Sequence, residues 1–219
     1  MKQVKIIYPK SVKICKGEER MNLPALELVT IEHSPNAADI LKKPASRIDF
    51  PLSPEIIALI EAMKKKVIEI DGVGLAANQV GYHVKVIVYH VPEAVRSYRE
   101  DALEEVPLSV LINPSYTPIE EDGIFADWEG CFSVAEKIGK VKRYKSIHYQ
   151  GQTPTGETIK AKANGFLARV LQHEIDHING FLIIDRLTPS CIQGDPKEMK
   201  AIREKEYEAQ LKKSNEKKS

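Results

Sequence analysis

The sequence predicts a fold that mixes helices and strands and encloses one helix among the other elements. The first helix, over residues 54–69, begins with a capping hydroxyl, a proline and an acid at Ser53-Pro54-Glu55. The second, over residues 165–179, carries an apolar face too broad for a helix on the surface, and Asn179-Gly180 ends it. Strand patterns lie between the two helices, so neither class of element accounts for the chain alone.

Alternating apolar residues predict the strands. Residues 84–89 form the clearest candidate, and residues 109–113 form a shorter one. Residues 146–150 and 158–162 flank a turn-rich segment, which is typical of a hairpin with a longer loop. Residues 92–107 are charged and predict an excursion on the surface. The predicted strands therefore fall in the middle of the chain.

Composition and charge exclude several classes of function. The 219 residues are 42% hydrophobic and 29% charged, with a formal net charge of +1, which is ordinary for a soluble domain. Such a balance gives no global attraction to nucleic acid or to an anionic membrane. No apolar run approaches the roughly 18–20 residues that span a bilayer. Three cysteines, an odd number, and an amino terminus without a secretory pattern predict a reducing, intracellular environment.

The strongest chemical pattern is His173-Glu174-Ile175-Asp176-His177. Two histidines four residues apart on a helix lie on one face, about 6 Å apart along the axis, and can bind one cation. Glu174 stands beside the first of them, where a carboxylate can take a proton from water activated by the metal. The alternative is an ordinary helix with polar residues. In an apolar helix, however, two histidines and two acids are costly to bury unless a metal satisfies them.

A catalytic metal site needs a third protein ligand, and Cys131 is the candidate. No histidine follows His177, and the acids downstream lie in a charged tail. Gly130 allows a close backbone approach before Cys131, whose thiolate would suit a divalent cation. Taken alone, Cys131 fits a small buried apolar residue better than a ligand. Nothing near Cys15 or Cys191 indicates chemistry.

The segment Gly72-Val73-Gly74-Leu75-Ala76-Ala77-Asn78-Gln79 has two interpretations. It satisfies the loose dinucleotide pattern G-x-G-x-x-A, but that pattern needs a strand before it and a helix after it, and the predicted order here is reversed. The glycines could instead let an extended peptide approach the backbone while Gln79 donates to a developing oxyanion. A simple turn with Gln79 facing solvent is equally compatible with the spacing.

Three motifs, in order, resemble those of the peptide deformylases: Gly72 to Gln79, Glu129-Gly130-Cys131-Phe132-Ser133 and Gln172-His173-Glu174-Ile175-Asp176-His177. The resemblance implies an α+β fold with mixed or antiparallel strands around a central helix that carries the H-E-x-x-H motif. The charges of residues 196–219, eight Lys or Arg against five Glu, predict in addition a charged C-terminal helix. Together they divide the chain into an irregular N-terminal extension (1–39), a catalytic domain (40–190) and a charged helix or tail (191–219).

The same resemblance implies hydrolysis of the N-formyl group from the N-terminal formylmethionine of newly made polypeptides, through attack by a metal-bound hydroxide. It implies metal ligation by Cys131, His173 and His177. It implies catalysis by Glu174 as general acid and base, with Gln79 and the backbone N–H of Phe132 holding the oxyanion. It implies substrate binding by Val73, Gly74, Gly130 and Val170.

The implied cofactor is one divalent metal ion, with ferrous iron as the native metal and nickel, cobalt or zinc as substitutes. The implied partners are N-formylmethionyl nascent peptides, in the cytoplasm of a bacterial-type system rather than an organelle. We expect no membrane partner and no specific nucleic acid. The basic tail, residues 196–219, fits either a ribosome contact or a solvated helix. Two rival functions remain: a zinc endopeptidase, and a catalytically silent homologue that binds nascent chains.

Some positions differ from the family pattern. Phe132 stands where leucine is usual, which could alter the pocket without affecting a backbone contact. Asn78 and Ala135 replace prolines, and we expect looser loops at both. Arg143 matches a recurring arginine, for which we expect a structural role and a pairing with Asp176.

Overall fold

The structure, a computed structural model, describes residues 23–96 and 99–216, with side chains described as far as residue 209. The helices of these residues are α1 (Ala37–Leu41), α2 (Pro54–Glu69), α3 (Glu93–Arg96), α4 (Gly165–Ile178), α5 (Ile183–Arg186) and α6 (Pro196–Glu216). The strands are β1 (Gly74–Ala76), β2 (Val86–Val91), β3 (Val106–Pro118), β4 (Ile124–Cys131), β5 (Val134–Tyr144), β6 (Ser146–Gln152), β7 (Thr158–Asn164) and β8 (Gln193–Gly194).

The strands form two antiparallel sheets, one of five strands in the order β1-β2-β3-β6-β7 and one of three in the order β4-β5-β8. Strand β2 is apolar on both faces because a helix covers each. Ile87 and Tyr89 belong to the core that includes α4, whereas Val86 and Val88 belong to the core that includes α2. Burial on both faces explains why β2 is almost continuously hydrophobic.

Helix α4 is enclosed by the two sheets, as the breadth of its apolar face predicts. Val170, Leu171 and Ile175 pack in the core shared with the five-stranded sheet. On the other side, the Gln172 side chain accepts from the N–H of Tyr144 at 3.0 Å and donates to its carbonyl at 2.9 Å, which ties α4 to β5. The α+β architecture with a central helix is confirmed.

The end of α4 shows why the helix stops where the sequence predicts. Gly180 adopts a φ of 84°, a conformation that favours glycine. Its N–H donates to the carbonyl of His177 at 2.9 Å, and the N–H of Phe181 donates to that of Asp176 at 2.9 Å. This pair of bonds satisfies carbonyls that the helix leaves open.

Local patterns predicted the long helices α2, α4 and α6 but not the short helices α1, α3 and α5, and they predicted the strands less completely. Helix α2 has the predicted bounds, and Ser53 Oγ accepts from the N–H of Ile56 at 3.4 Å, as a capping residue does. The surface excursion predicted over 92–107 is partly wrong, because Val95 and Ala102 are buried in the core around α4 and Val106 begins β3.

The sequence-based division at residues 39/40 and 190/191 stays a prediction. Residues 1–22, including Cys15, lie outside the described residues. Residues 23–36 contain no regular helix or strand, whereas residues from 37 onward include α1. In the part of the chain that the structure describes, no helix has the length and apolar character needed to cross a bilayer.

Candidate metal centre and active site

Two elements bring the three predicted ligands together. His173 and His177 project from α4, and Cys131 is the last residue of β4. The Nε2 atoms of the two histidines are 3.1 Å apart, and Cys131 Sγ is 3.2 Å from His177 Nε2. All three ligand atoms lie within 4.8 Å of one another. Cys131 packs partly buried against an apolar cluster, and its sulfur also faces the imidazole of His177, which favours the interpretation as a ligand.

This donor set fits a divalent transition metal. One thiolate sulfur and two imidazole nitrogens suit zinc, iron, cobalt and nickel, and three protein ligands leave one position open, as catalytic sites do. With ligand bonds of about 2.0–2.3 Å, tetrahedral ligand atoms lie roughly 3.3–3.6 Å apart. The separations of 3.1 and 3.2 Å are close to that spacing. The Cys131 sulfur also accepts from the N–H of Ser133 at 3.4 Å, which helps to fix its position.

Glu129 orients His173 by contacting Nδ1, the ring nitrogen that does not face the other predicted ligands. Its Oε2 lies 3.0 Å from His173 Nδ1, which leaves Nε2 facing the other ligands. Its two oxygens also accept from Arg143 at 3.0 and 2.9 Å, and Oε1 accepts from Arg169 at 2.7 Å. Burial alone would raise the pKa of Glu129, but Arg143 and His173 hold it well below its usual range. Glu129 is therefore an ionised carboxylate, and each of its two oxygens already has two hydrogen-bond partners.

The carboxyl of Glu174 packs against the backbone of Gly74. A β-carbon at position 74 would lie 2.3 Å from Glu174 Oε1, so only glycine leaves room for the acid. Glu174 is 4% exposed, and its Oε2 has no hydrogen-bond partner among the described residues. Burial raises the pKa of Glu174 to about 7, against the opposing effect of His173. A buried acid with such a pKa can both accept and donate a proton near neutrality.

Gln79 lies in a buried turn rather than in solvent. Its Oε1 accepts from the N–H of Ala76 at 2.9 Å, so its Nε2 is left to face the site. That nitrogen is 3.8 Å from Cys131 Sγ and 3.3 Å from Ser133 Oγ. At 2% exposed, Gln79 contradicts the interpretation of a solvent-facing glutamine. The dinucleotide pattern is excluded by its context, because α2 precedes the glycines and β1 follows them.

A cavity of about 550 Å³ opens onto these groups. The four predicted substrate-binding residues line it: Val73, Gly74, Gly130 and Val170. The predicted catalytic residues and two of the three metal ligands line it as well: Gln79, Phe132, Glu174, Cys131 and His173. His177 does not line the cavity but contacts both other ligands. The structure thus brings all ten predicted site residues together.

The two segments in which a proline is replaced are hydrogen-bonded to neighbouring residues, and the expectation that they are looser stays a prediction. Asn78 is buried and donates to the His177 carbonyl at 2.5 Å, and the N–H of Ala135 donates to Glu32 at 3.1 Å. The N–H of Val29 also donates to the Gln79 carbonyl at 2.8 Å. Each segment is therefore fastened by at least one hydrogen bond.

Sequence reasoning found one supporting residue and missed others. The predicted pairing of Arg143 with Asp176 is present. The role of Glu129 was missed, although its position two residues before Cys131 was a signal. Arg169 was also missed; a lone arginine within the apolar stretch of α4 was the available sign, and it bonds to the carbonyls of Val141 and Phe125 as well as to Glu129.

Comparisons with known proteins place this geometry in a family. The chain matches the family model of polypeptide deformylases over residues 26–192. Peptide deformylase 2 of Rickettsia conorii is 38% identical over 181 residues, which cover 81% of this chain and 89% of the relative. Peptide deformylase 1 of Nitrosomonas europaea is 43% identical over 142 residues, which cover 65% of this chain and 78% of the relative.

Solved structures agree with the sequence comparisons. A crystal structure of a class I type b peptide deformylase from Acinetobacter baumannii, with bound Met-Ala-Ser, aligns with a TM-score of 0.64 and 29% identity. The alignment covers 75% of this chain and 99% of that one. The matched residues 26–192 include all ten predicted site residues and end before α6 begins.

Proposed function

The chain belongs to the peptide deformylases, metal-dependent hydrolases that remove the formyl group from nascent peptides, and we propose that Cys131, His173 and His177 bind its metal ion. The observation that carries the proposal is the convergence of these three ligand atoms within 4.8 Å of one another. They converge beside a buried acid, Glu174, in a cavity that Gln79 also lines. A soft sulfur and two nitrogens next to an unpartnered carboxyl suit hydrolysis better than a structural metal site, which has four protein ligands.

A divalent cation held there would supply Lewis-acid chemistry, activating water and polarising the formamide carbonyl. Glu174 accepts a proton from the attacking water as the new C–O bond forms at the formyl carbon. The same carboxyl returns that proton to the departing nitrogen as the C–N bond breaks, so the products are formate and a free amine. The unpartnered Oε2 is the atom available to hold the proton.

Gln79 and Phe132 are proposed to stabilise the negative charge that develops on the formyl oxygen. Gln79 Nε2 points toward the site because the N–H of Ala76 holds the oxygen of the same amide. Its present acceptors, Cys131 Sγ and Ser133 Oγ, lie at 3.8 and 3.3 Å, and a formyl oxygen would take their place. The backbone N–H of Phe132 is the second proposed donor, next to Cys131 in the chain. Preorganised donors of this kind contribute most when they are buried, as Gln79 is.

Val73 and Gly74 are proposed to align the peptide, because they lead into β1, the edge strand of the five-stranded sheet. Gly130 lines the same cavity and is proposed to contact the peptide, and Val170 is proposed to contact the methionine side chain. The relative with bound Met-Ala-Ser supports a peptide of this type as ligand. We therefore take N-formylmethionyl peptides as the substrate.

Ferrous iron is the metal we propose for the native protein, with nickel, cobalt and zinc as substitutes. The donor set accepts each of these ions. Metal analysis of anaerobically purified protein, with deformylation measured on the same sample, tests the proposal. Iron at one per chain together with activity would support it, and an active preparation with zinc alone would contradict it. We propose a bacterial-type, cytoplasmic site of action.

The reaction is tested by offering formyl-Met-Ala-Ser and unformylated Met-Ala-Ser-containing peptides side by side. A deformylase releases formate from the first and leaves the internal bonds of both intact, whereas an endopeptidase cuts internal bonds in both. Glu174→Ala should lose turnover while keeping its metal. Near-normal turnover in that variant, or no formate release by the unmodified chain, would overturn the proposed function.

Ribosome binding by the basic tail is a separate proposal. Residues 196–219 contain eight Lys or Arg against five Glu, which favours RNA phosphates. Replacing Lys212, Lys213, Lys217 and Lys218 with Ala leaves the first half of α6 unchanged. Weaker co-sedimentation with ribosomes at low salt would support the proposal, and unchanged co-sedimentation would remove it.

A further inference from the structure

Helix α6 forms a wall of the active-site cavity, although it lies beyond the residues that match the family. Three contacts fasten it to the three-stranded sheet. Trp128 Nε1 donates to Glu206 at 2.9 Å, Lys140 pairs with the same carboxylate at 2.7 Å, and Met199 is buried beside β8. The first half of the basic tail is therefore a docked helix.

Arg203 occupies the docked face of α6. It follows Met199 by four residues and precedes Glu206 by three, so all three side chains lie on one side of the helix. Arg203 lines the 550 Å³ cavity that contains Glu174 and His173. It also lines an adjoining cavity of about 340 Å³ between β4, α6 and residues 99–101. Arg203 is thus shared by the linings of both cavities.

The other arginines of this wall are already engaged. Arg99 pairs with Asp101 and Asp127 and lies 4.4 Å above the ring of Phe166. Arg169 is buried against Glu129. By contrast, Arg203 is exposed and has no ion pair with any residue whose side chain the structure describes. Among the arginines of this cavity whose side chains the structure describes, Arg203 is the one without a carboxylate partner, so it can meet a charge on a ligand.

We propose that Arg203 is a specificity-determining residue, which favours substrates with an acidic side chain at the second to fourth residue of the formylated peptide. The inference rests on the proposed function and deepens it. An extended peptide advances about 3.3 Å per residue, so a carboxylate close to the formylmethionine stays within the cavities that Arg203 lines. Glu100, which lines only the adjoining cavity, opposes the preference from the other wall.

The test measures kcat/KM for formyl-Met-Ala-Ser-Ala-amide and for versions with Asp at the second, third or fourth residue. Amidation removes the terminal carboxylate, so the side chain is the only added anion. An exposed ion pair of this kind predicts an acidic-to-neutral ratio of about two- to five-fold at the best position. The gain should appear in KM and should shrink in high salt, because screening weakens exposed charges.

Variants assign the preference to Arg203. Arg203→Glu should bring the ratio below one, Arg203→Lys should keep most of it, and Glu100→Gln should increase it. Lys200→Ala, which removes a neighbouring cation of α6 outside both cavities, is the matched control and should keep the wild-type ratio. A ratio that is the same in wild type and Arg203→Glu would overturn the inference while deformylation itself continued. If the wild-type chain released formate from none of the peptides, both the inference and the proposed function would fail.

Discussion

Gly74 and Glu174 are in direct contact: a β-carbon at position 74 would lie 2.3 Å from the Glu174 carboxyl oxygen and 2.7 Å from its carboxyl carbon. The two residues come from different elements, β1 and α4. The contact joins the strand proposed to align the peptide to the acid proposed to move protons. Position 74 therefore requires glycine because a β-carbon there would collide with Glu174, and not because of the conformation of the turn.

Gly74→Ala should therefore displace Glu174 and lower kcat for formyl-Met-Ala-Ser by about 10²-fold or more, the effect of a misplacement near 1 Å. Metal content should stay at the wild-type level, because no ligand moves directly. Gly194→Ala is the control, since its added carbon meets the flexible end of Met199 at 3.0 Å, away from Glu174. Near-normal kcat in Gly74→Ala would contradict the steric account.

Glu129→Gln should weaken both the fold and the metal site. The change leaves Arg143 and Arg169 buried without their carboxylate, which typically costs about 3–5 kcal/mol of unfolding free energy. It also removes the acceptor behind His173, so metal affinity should fall about 10–100-fold. Denaturant unfolding and competitive metal titration measure the two effects.

Glu61→Gln provides the comparison, because the Glu61–Lys64 pair is partly exposed and its loss should change stability by less than about 1 kcal/mol. Equal stability losses in Glu129→Gln and Glu61→Gln would contradict the stabilising role of the ion pairs that Glu129 makes with Arg143 and Arg169.

Gln79→Ala should lower kcat by about 10²–10³-fold, as expected for a lost oxyanion donor. The bound metal should be retained. Ser133→Ala should have a smaller effect, because the N–H of Ala76 still fixes the Gln79 amide when the Ser133 hydroxyl is gone. Steady-state kinetics on both variants show which of the two loses more kcat. A larger loss in Ser133→Ala than in Gln79→Ala would contradict the role given to the amide.

Removing the metal should destabilise the protein. A ligand at about 100 times its Kd stabilises the folded state by about 2.7 kcal/mol, which for a chain of this size corresponds to a Tm change of roughly 5–10 °C. A chelator should therefore lower the Tm of the wild type by that amount and leave Cys131→Ala unaffected. Cys191→Ala should behave as the wild type does, since Cys191 is outside the ligand set. A chelator that lowers the Tm of Cys131→Ala as much as that of the wild type would contradict the assignment of Cys131 as a metal ligand.

The parts of the fold set by local rules were predictable. Helix α2 begins at its capping serine, and α4 ends at Gly180, because caps and periodicity act within a few residues. Strands β4 and β5 gave no comparable signal. Strand β5 includes the exposed charged residues Glu136, Lys137 and Lys142, so its apolar alternation is weak, and pairing with β4 decides its structure.

The site was predictable where a motif carries its own geometry and not where distant residues meet. The spacing of His173 and His177 fixes their common face, whereas Cys131 taken alone favoured a small buried residue, and only the three motifs together favoured a ligand. Glu129 acts through partners that are 14, 40 and 44 residues away in the chain. The spacing of apolar residues along the sequence does not reveal such contacts. The sequence left residues 196–219 open between a ribosome contact and a solvated helix. The docking of α6 was not predicted, because it depends on the contact between Trp128 and Glu206, which is not local.

The most direct test of the metal centre is X-ray absorption spectroscopy of protein loaded with one zinc ion per chain. Ligation by Cys131, His173 and His177 predicts one sulfur at about 2.3 Å and two imidazole nitrogens at about 2.0–2.1 Å from the metal. The sulfur signal should disappear in Cys131→Ala and persist in Cys191→Ala. A wild-type spectrum without sulfur, or a sulfur signal that survives Cys131→Ala, would contradict the site.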